Sequence, residues 1–228
     1  MPGPPQELQW HGVTLRDTYA SWVQEKRDKL ADAARDGRWD EVLRLLEHDT
    51  ALVNAARPGG TSGFALLHQV GYVGAPATVV AELLRCGAWR TLRTFASERP
   101  VDIAAKRPHP AWLVELLAPE VRTAVAPSAL AALELHFHAT IRWRAESQVR
   151  EHRLRLPQLE TLTEMPLGQR VTFTVPGMYG AFSYHLERGG DDPMLAASSW
   201  SRVVEGPDDR YVVTCAGFTR VPWKTHPA

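Results

Sequence analysis

Apolar residues recur at helical spacing over the first half of the chain. Val79, Leu83 and Leu84 form one such set, and Leu113 and Leu116 begin another. Residues three and four apart lie on the same face of a helix, so each set predicts a helix with one apolar side. A single helical pair cannot cover such a side, and we therefore expect these residues to pack against neighbouring helices.

The same stretch of chain also repeats itself. The segments 33–46 and 104–117 carry small and apolar residues at identical internal spacings: Ala33, Ala34, Val42, Leu45 and Leu46 in the first, and Ala104, Ala105, Leu113, Leu116 and Leu117 in the second. Residues 63–88 carry a related pattern with one residue inserted near Ala75 and Pro76. Three copies predict a short array of helical repeats over about residues 26–118.

This pattern resembles the ankyrin repeat. In that family a Thr-Pro-Leu-His element opens the first helix of each repeat, and a Gly-Ala pair closes the second helix. In this chain, residues 63–68 and 97–104 stand at the position of the Thr-Pro-Leu-His element, and Gly87-Ala88 stands at the position of the Gly-Ala pair. The resemblance extends to uncharacterised bacterial ankyrin-repeat proteins with the same second domain. It implies that His68 ties neighbouring turns together through backbone hydrogen bonds, and it implies no activity.

Both ends of a short array need a cover. The segment from Thr14 to about Ala34 predicts an N-terminal capping helix whose apolar side carries Leu15, Tyr19, Trp22 and Val23. Pro119 ends the repeat pattern, and Ser128 can accept the first N–H groups of a new helix. We therefore predict two domains, residues 1–119 with the capping helix and repeats, and residues 120–228 with a helix and an antiparallel β-meander.

Residues 128–152 allow two interpretations. One apolar stripe predicts a helix, which the length and the Ala-rich start of the segment favour: Leu130, Leu133, Phe137, Ile141, Ala145 and Val149. Between residues 134 and 144, however, polar and apolar residues alternate with the period of a strand. On a strand, His136 and His138 would share a face and could bind a metal ion together with Glu134. On a helix the two side chains point about 200° apart and cannot bind one metal ion together. We predict neither a metal nor a cofactor.

Beyond residue 157, short alternating runs are separated by turn residues. The predicted strands are Arg170–Val175, Phe182–Arg188, Met194–Val204 and Arg210–Thr214, with Val221 ending a last strand. Segments 189–193 and 205–209, rich in Gly, Asp and Pro, predict tight reversals between them. The predicted fold class is therefore an α-helical ankyrin repeat array followed by a smaller α+β domain with an antiparallel sheet.

Composition restricts the choice of partners. The 228 residues include 26 basic and 26 acidic side chains, a balance that argues against a surface built as a whole to bind nucleic acid.

The longest apolar runs, such as residues 78–84, are far shorter than the ~20 residues of a membrane span, and the N-terminus lacks the basic-then-apolar order of a signal peptide. We predict a cytoplasmic protein with no membrane partner.

Only two cysteines occur, Cys86 and Cys215. Two are too few for a disulfide framework or a cysteine-based zinc site. We predict that both are buried, unreactive thiols.

The function that the repeat pattern favours is a protein-interaction module, with the second domain capping or extending the array and a protein as the expected partner. The turn side of the repeats would provide the contacts, and six residues are the candidates there: Arg57, Phe64, Trp89, Arg90, Arg93 and Phe95.

An enzyme acting on a small molecule, of a cyclase or isomerase type, is the alternative. Its pocket would lie in the second domain, and its acid–base groups would come from His136, His138, Arg142, Tyr179 and Tyr184. The segment 175–182, with two glycines between aromatic residues, could line that pocket or form a wide hairpin. His185 is a further polar strand residue, although alternation lets only half of such residues face one side. No motif of a hydrolase, kinase, dehydrogenase or zinc protease supports a particular reaction.

A second alternative is nucleic-acid binding through the segment Arg142–Arg155. This segment combines five arginines with Trp143, which could stack on a base. Glu146 and Glu151 interrupt the charges and can pair with them at helical spacing. We therefore expect a solvated, ion-paired helix face more than a nucleic-acid site.

Overall fold

The computed structural model describes residues 8–202 and 209–221. The chain divides into two compact units. The helical unit comprises residues 14–120, and the sheet unit contains the described parts of residues 1–13 and 121–228. The predicted turn at 205–209 lies outside the described residues except for Asp209, and so does the end of the strand predicted to reach Val204.

The helical unit consists of three pairs of consecutive helices that contact each other, joined by short connections. Its helices are α1 (Ser21–Arg35), α2 (Trp39–His48), α3 (Leu66–Val73), α4 (Ala77–Arg85), α5 (Pro100–Ala104) and α6 (Ala111–Leu117). Helix α3 contacts both α1 and α5, while α2 contacts α4. The apolar spacing of the sequence provides the core between these helices, because Val42, Val80, Leu83 and Leu113 are almost completely buried.

Short-range features of the sequence explain where these helices begin and how closely they pack. Pro100 is the first residue of α5, where its missing N–H costs no hydrogen bond, and the Asp102 carboxylate accepts the Arg99 N–H at 2.8 Å. Gly71 lies where α3 meets α5, and a Cβ there would stand 2.5 Å from the Pro100 carbonyl oxygen. The absence of a side chain at residue 71 therefore sets the distance between the two helices.

The sheet unit combines one long helix with a six-stranded sheet. The elements are β1 (Leu8–Trp10), α7 (Pro127–Glu151), β2 (Val171–Val175), β3 (Gly180–Arg188), β4 (Met194–Ser201), β5 (Asp209–Thr214) and β6 (Gly217–Val221). The strands follow one another in the sheet in chain order. Strands β2 to β6 form an antiparallel meander, whereas β1 pairs in parallel with β2.

The two faces of the sheet differ as the alternation of the sequence predicts. One face packs against α7 and is buried; it carries Trp10, Val171, Phe173, Phe182, Tyr184, Leu195, Tyr211 and Val213. The other face carries Thr172, Ser183, His185, Ala196, Ser198, Arg210 and Val212, which cross-strand pairing places side by side. We call this second surface the open face.

The predicted fold class, an ankyrin repeat array followed by a smaller α+β domain with an antiparallel sheet, is wrong. The sheet is mixed, because β1 joins it in parallel from the N-terminal end of the chain. The sheet unit thus draws on both ends of the chain and is not the smaller unit. The helical pairs are unequal, from 15 residues in α1 to five in α5, and do not form a clear repeat array.

Three local predictions also need correction. The N-terminal helix begins at Ser21 rather than near Thr14, and Trp22 on it is 68% exposed instead of packed. Helix α7 begins with Pro127, and no side chain, including that of Ser128, caps it. Cys215 is exposed in the turn between β5 and β6, whereas Cys86 is buried as expected and its burial raises the pKa of its thiol.

Residues 128–152 adopt the helical alternative. Helix α7 is continuous from Pro127 to Glu151 apart from a non-helical backbone at Ala145, and the predicted apolar stripe is buried from Leu133 to Val149. His136 and His138 therefore cannot share the face that the strand alternative gave them.

Candidate functional sites

Aromatic side chains form a connected surface on the helical unit. Tyr72, near the end of α3, is 44% exposed, and its ring meets the ring of Phe64 at a centroid distance of 6.1 Å. The guanidinium carbon of Arg107 lies 3.7 Å from the centre of the Tyr72 ring. This distance is well within the range of a cation–π interaction, so Tyr72 is held between an aromatic ring and a cation.

Phe95 extends this surface on the side of Phe64. Its ring lies over Gly63, where a Cβ would be 3.0 Å from the ring, and its N–H donates to the Ser62 carbonyl at 3.0 Å. Phe95 is nevertheless 45% exposed. We call Phe64, Tyr72, Phe95 and Arg107 the aromatic surface.

The other residues predicted to contact a partner are used within the helical unit. Trp89 is only 3% exposed, because its N–H donates to Asn54 Oδ1 at 2.9 Å while Asn54 Nδ2 donates to the Gly87 carbonyl. Trp89 therefore offers almost no surface to a partner. Sequence alone could not show this, since the residue lies in a loop and its burial depends on a side chain 35 positions away.

The three predicted arginines are also engaged. Arg57 forms ion pairs with Asp28 and Asp32. Arg90 donates to the Leu116 carbonyl at 3.0 Å and to Glu120 at 3.0 Å, and Arg93 donates to the Ser97 carbonyl. The contacts of Arg57 and Arg90 connect loops to helices α1 and α6, and that of Arg93 lies within the segment between α4 and α5. The structure thus gives the three guanidinium groups a role inside the unit.

His68 is completely buried and bridges two segments of the helical unit. Its Nδ1 accepts the Ala65 N–H at 3.0 Å, and its Nε2 lies 2.9 Å from the Leu92 carbonyl oxygen. A backbone N–H can only donate and a carbonyl can only accept, so the ring is neutral and carries its proton on Nε2. This is the structural role that the sequence predicts for it.

The predicted catalytic residues do not form one site. Tyr184 is fully buried against Phe137, with ring centroids 4.8 Å apart. Burial, and then the Glu134 carboxylate, raise the pKa of its hydroxyl well above the usual value. That hydroxyl has no hydrogen-bond partner among the described residues.

The remaining members of that set are dispersed. His138 Nε2 donates to the Pro157 carbonyl at 2.8 Å, which holds the segment after α7 against the helix. Tyr179 lies exposed at the tip of the β2–β3 hairpin with a φ of 49°. Arg142 is exposed and pairs with Glu146 at 3.0 Å, and His136 is half-buried on α7. The segment 175–182 thus forms a hairpin end.

The basic segment from Arg142 to Arg155 is divided among different environments. Arg144 forms an ion pair with Asp209 at 3.3 Å. Arg155 is largely buried, and this burial lowers its pKa to about 10. Because these arginines serve different contacts, the structure does not join them into a continuous surface for phosphates.

The open face of the sheet contains a groove that the site predictions missed. Its volume is about 490 Å³, within the range of small-molecule sites. Small side chains, Ser183, Ala196 and Ser198, line it, together with Arg170, His185, Glu187, Arg210, Val212 and Val221. Because cross-strand neighbours with short side chains leave space above the sheet, the strand pairing itself produces the depression.

His185 lies in this groove and is 91% buried, with 9% of its surface exposed. Its Nε2 is 2.8 Å from Glu187 Oε2, two residues along the same strand and on the same face. Its Nδ1 is buried and has no hydrogen-bond partner among the described residues. The alternation of β3 could have indicated this pair, since positions 183, 185 and 187 share a face.

No protein-family profile matches the chain, and no curated protein matches it. Within residues 8–202 and 209–221, no three His, Cys, Asp or Glu side chains are grouped so that they could hold a metal ion. None of the helices in the described part of the chain is both long and apolar enough to cross a membrane.

Proposed function

We propose that the helical unit is a protein-interaction module that binds a protein partner through the aromatic surface. The observation that carries this proposal is the position of Tyr72, which is half exposed between the Phe64 ring and the Arg107 guanidinium. Tyrosine and arginine are among the residues that contribute most to protein–protein binding energy.

The geometry supports this assignment in two ways. Aromatic rings bury a large area at a small cost in side-chain entropy, and neighbouring contacts already restrict Tyr72 and Phe95. The surface is also placed on helix α3 and the segment before it, whose position His68 fixes through Ala65 and Leu92. The partner that fits is a protein segment with apolar side chains for the rings and a carboxylate for Arg107.

A photo-crosslinking experiment tests this proposal. The photoreactive residue p-benzoylphenylalanine is placed at Phe95 and, in a control protein, at Trp22, which is exposed on α1 and belongs to no ring contact of the aromatic surface. We expect a discrete crosslinked protein from position 95 and none from position 22. Its identity is obtained by mass spectrometry, and the partner is then purified.

Affinity for the purified partner decides the outcome. We expect Tyr72→Ala to weaken binding by about tenfold or more, because loss of a central aromatic side chain costs roughly 2 kcal/mol. Trp22→Ala should change affinity less than about twofold. Equal affinities of the wild type and Tyr72→Ala would show that the partner binds elsewhere and would refute the proposal.

A further inference from the structure

The groove on the open face contains a positive and a negative side chain that do not pair with each other. Arg170 and Glu187 both line it, and within the described parts of the chain the Arg170 guanidinium has no carboxylate partner. Among the same residues, the Glu187 carboxylate is engaged by His185 alone. Arg210 lines the groove too, but it has other contacts, so Arg170 is the guanidinium that is available to a bound molecule.

Strand pairing sets the separation of the two charges. Arg170 directly precedes β2, and the register of β2 and β3, continued by one residue, places it opposite His185. The chain before β2 still runs beside β3, because the Gly168 N–H donates to the Leu186 carbonyl at 2.9 Å. Glu187 lies two residues beyond His185 on the same face. Arg170 and Glu187 are therefore diagonal neighbours, about 7–8 Å apart at the backbone.

His185 holds the Glu187 carboxylate in place. The histidine is only 9% exposed, and its Nε2 donates to Glu187 Oε2 at 2.8 Å, since a carboxylate oxygen can only accept. In a neutral ring the buried Nδ1 is then an acceptor, and it has no partner among the described residues. A carboxylate that is already restricted binds a cation at a smaller cost in side-chain entropy. This side of the groove therefore favours a positively charged donor.

The groove continues from the charged residues over small and apolar side chains. The cross-strand row that contains His185 runs through Ala196 on β4 to Val212 on β5, two strand spacings or about 10 Å away. In the next row Ser183 lies opposite Ser198. These short side chains leave space above the strands, and the row of Ala196 and Val212 offers apolar contact to a bound molecule.

We propose that this groove is a binding site for a free α-amino acid with an apolar side chain. Its carboxylate accepts two parallel hydrogen bonds from the Arg170 guanidinium. Its ammonium group donates to the Glu187 carboxylate, and its side chain lies over Ala196 and Val212. An α-amino acid carries both charges on one carbon, which matches a guanidinium and a carboxylate that are diagonal neighbours on one face of the sheet.

The test is a titration of the full chain with L-valine, L-leucine and L-phenylalanine, followed by methyl NMR. Methyl groups of Ala196 and Val212 report on the groove, and those of Leu195 and Val213, their neighbours on the buried face, serve as the internal control. We expect saturable shifts at Ala196 and Val212 with at least one of the three amino acids, and much smaller shifts at Leu195 and Val213.

Analogues of the bound amino acid that lack one charge show whether both charges are recognised. For leucine these are 4-methylpentanoate, which lacks the amino group, and 3-methylbutylamine, which lacks the carboxylate. We expect each analogue to bind about tenfold or more weakly than the amino acid, because each leaves one charged side chain of the groove without its partner.

Two variants locate the charges. Arg170→Gln and Glu187→Gln should each weaken binding of the amino acid by about tenfold or more, because each removes one charged pairing. The matched controls are Arg188→Gln and Asp192→Asn, which change an exposed ion pair at the end of β3 whose members do not line the groove. Each control should change the affinity less than about twofold.

The other outcomes overturn the proposal. Absence of a saturable shift with all three amino acids up to about 10 mM would exclude the site. An analogue that binds as tightly as its amino acid would show that the groove does not recognise both charges. Equal weakening by a groove variant and its control would show a general charge effect. In each variant the unchanged shifts of Leu195 and Val213 confirm that the sheet is still folded.

Discussion

His68 holds two segments of the helical unit together through a single side chain. Replacing it by alanine removes both buried hydrogen bonds, leaves the Ala65 N–H and the Leu92 carbonyl without their partner, and opens a cavity. We expect His68→Ala to lower the free energy of unfolding by about 2–4 kcal/mol. Urea denaturation followed by circular dichroism measures this change.

The matched control is His48→Ala, at the exposed end of α2. A surface substitution of this kind changes the stability by less than about 0.5 kcal/mol. If His68→Ala were no more destabilising than His48→Ala, the bridge between Ala65 and Leu92 would contribute nothing, and the assignment of the neutral ring would lose its support.

Tyr184 illustrates the opposite case, a buried polar group without a hydrogen-bond partner among the described residues. Tyr184→Phe removes the hydroxyl and keeps the ring that packs against Phe137. We expect this substitution to leave the free energy of unfolding at pH 7 unchanged or to raise it by up to about 1 kcal/mol. A loss of more than about 1 kcal/mol in urea denaturation would instead reveal a partner for the hydroxyl.

The same residue gives a prediction for alkaline pH. Burial raises the pKa of folded Tyr184 well above its usual value, whereas in the unfolded chain it ionises near pH 10. Above about pH 10 the unfolded state therefore loses this proton first, and stability falls as the pH rises. The advantage of Tyr184→Phe over the wild type should grow between pH 9 and 11, by about 1.4 kcal/mol per pH unit at most. A stability difference between the two proteins that stays constant over this pH range would contradict the prediction.

Single residues were predictable from the sequence where their role is local, and unpredictable where it depends on distant packing. The role of His68 follows from its place in a recognisable element, and its contact with Ala65 is three residues away. Trp89 has no comparable local signal, and the alternation of β3 indicates only that His185 and Glu187 share a face, not that His185 is buried. The burial of Trp89 depends on Asn54, and that of His185 on the short side chains of strands β3 and β4.

At the level of elements, the contact between α3 and α5 depends on Gly71. Alanine favours a helix over glycine by about 1 kcal/mol, so a free helix would gain from Gly71→Ala. Here the added Cβ would stand 2.5 Å from the backbone oxygen of Pro100, which cannot move aside like a flexible side chain. We expect the clash to dominate and the free energy of unfolding to fall by about 1–3 kcal/mol.

Thermal unfolding followed by circular dichroism checks the sign of this change. Val73→Ala, an exposed position in the same helix, is the control and should shift the midpoint only slightly. A stabilised Gly71→Ala protein would mean that α3 and α5 are not in such close contact.

The helices and the meander strands were predictable because their signals are periodic. The apolar stripe of α7 and the alternation of β2 to β5 survive in the structure with ends shifted by one or a few residues. The sequence of α7 allows a strand between residues 134 and 144 because polar and apolar residues alternate there, and the length and Ala-rich start of the segment favoured the correct choice, a helix.

At the scale of the whole molecule, strand β1 decides which residues belong to the sheet unit. Trp10 on β1 is 2% exposed, and its Nε1 donates to the Arg155 carbonyl at 2.8 Å, while the Arg155 N–H donates to the Gly12 carbonyl at 2.7 Å. We expect Trp10→Ala to destabilise the sheet unit by about 3–5 kcal/mol. Hydrogen exchange should accelerate at the amides of β2 and β3 and remain unchanged in α3 and α4.

Gln9→Ala provides the matched control on the same strand. Gln9 faces the other way, and its one side-chain hydrogen bond to a described residue is a long, exposed one to Thr174 at 3.4 Å, so its replacement should cost less than about 0.5 kcal/mol. Equal acceleration of exchange in both units after Trp10→Ala would show that they unfold together, and no acceleration in either would show that β1 does not stabilise the sheet.

Strand β1 is also the part of the fold that sequence patterns could not predict. Three residues are too few to establish a period, and parallel pairing with β2 depends on a segment about 160 residues further along the chain. Local propensities carry no information on such a pairing, and for this reason the predicted domain of residues 1–119 included this strand.

The parallel pairing of β1 with β2 has a consequence for synthesis on the ribosome. The first strand leaves the exit tunnel early, and at about 5–20 residues per second its neighbour follows on the order of ten seconds later. During that interval the helices of residues 14–120 can already fold, while Trp10 has no sheet to enter. The nascent chain must therefore keep β1 unpaired until β2 has been synthesised, and this strand is where a chaperone would have most to protect.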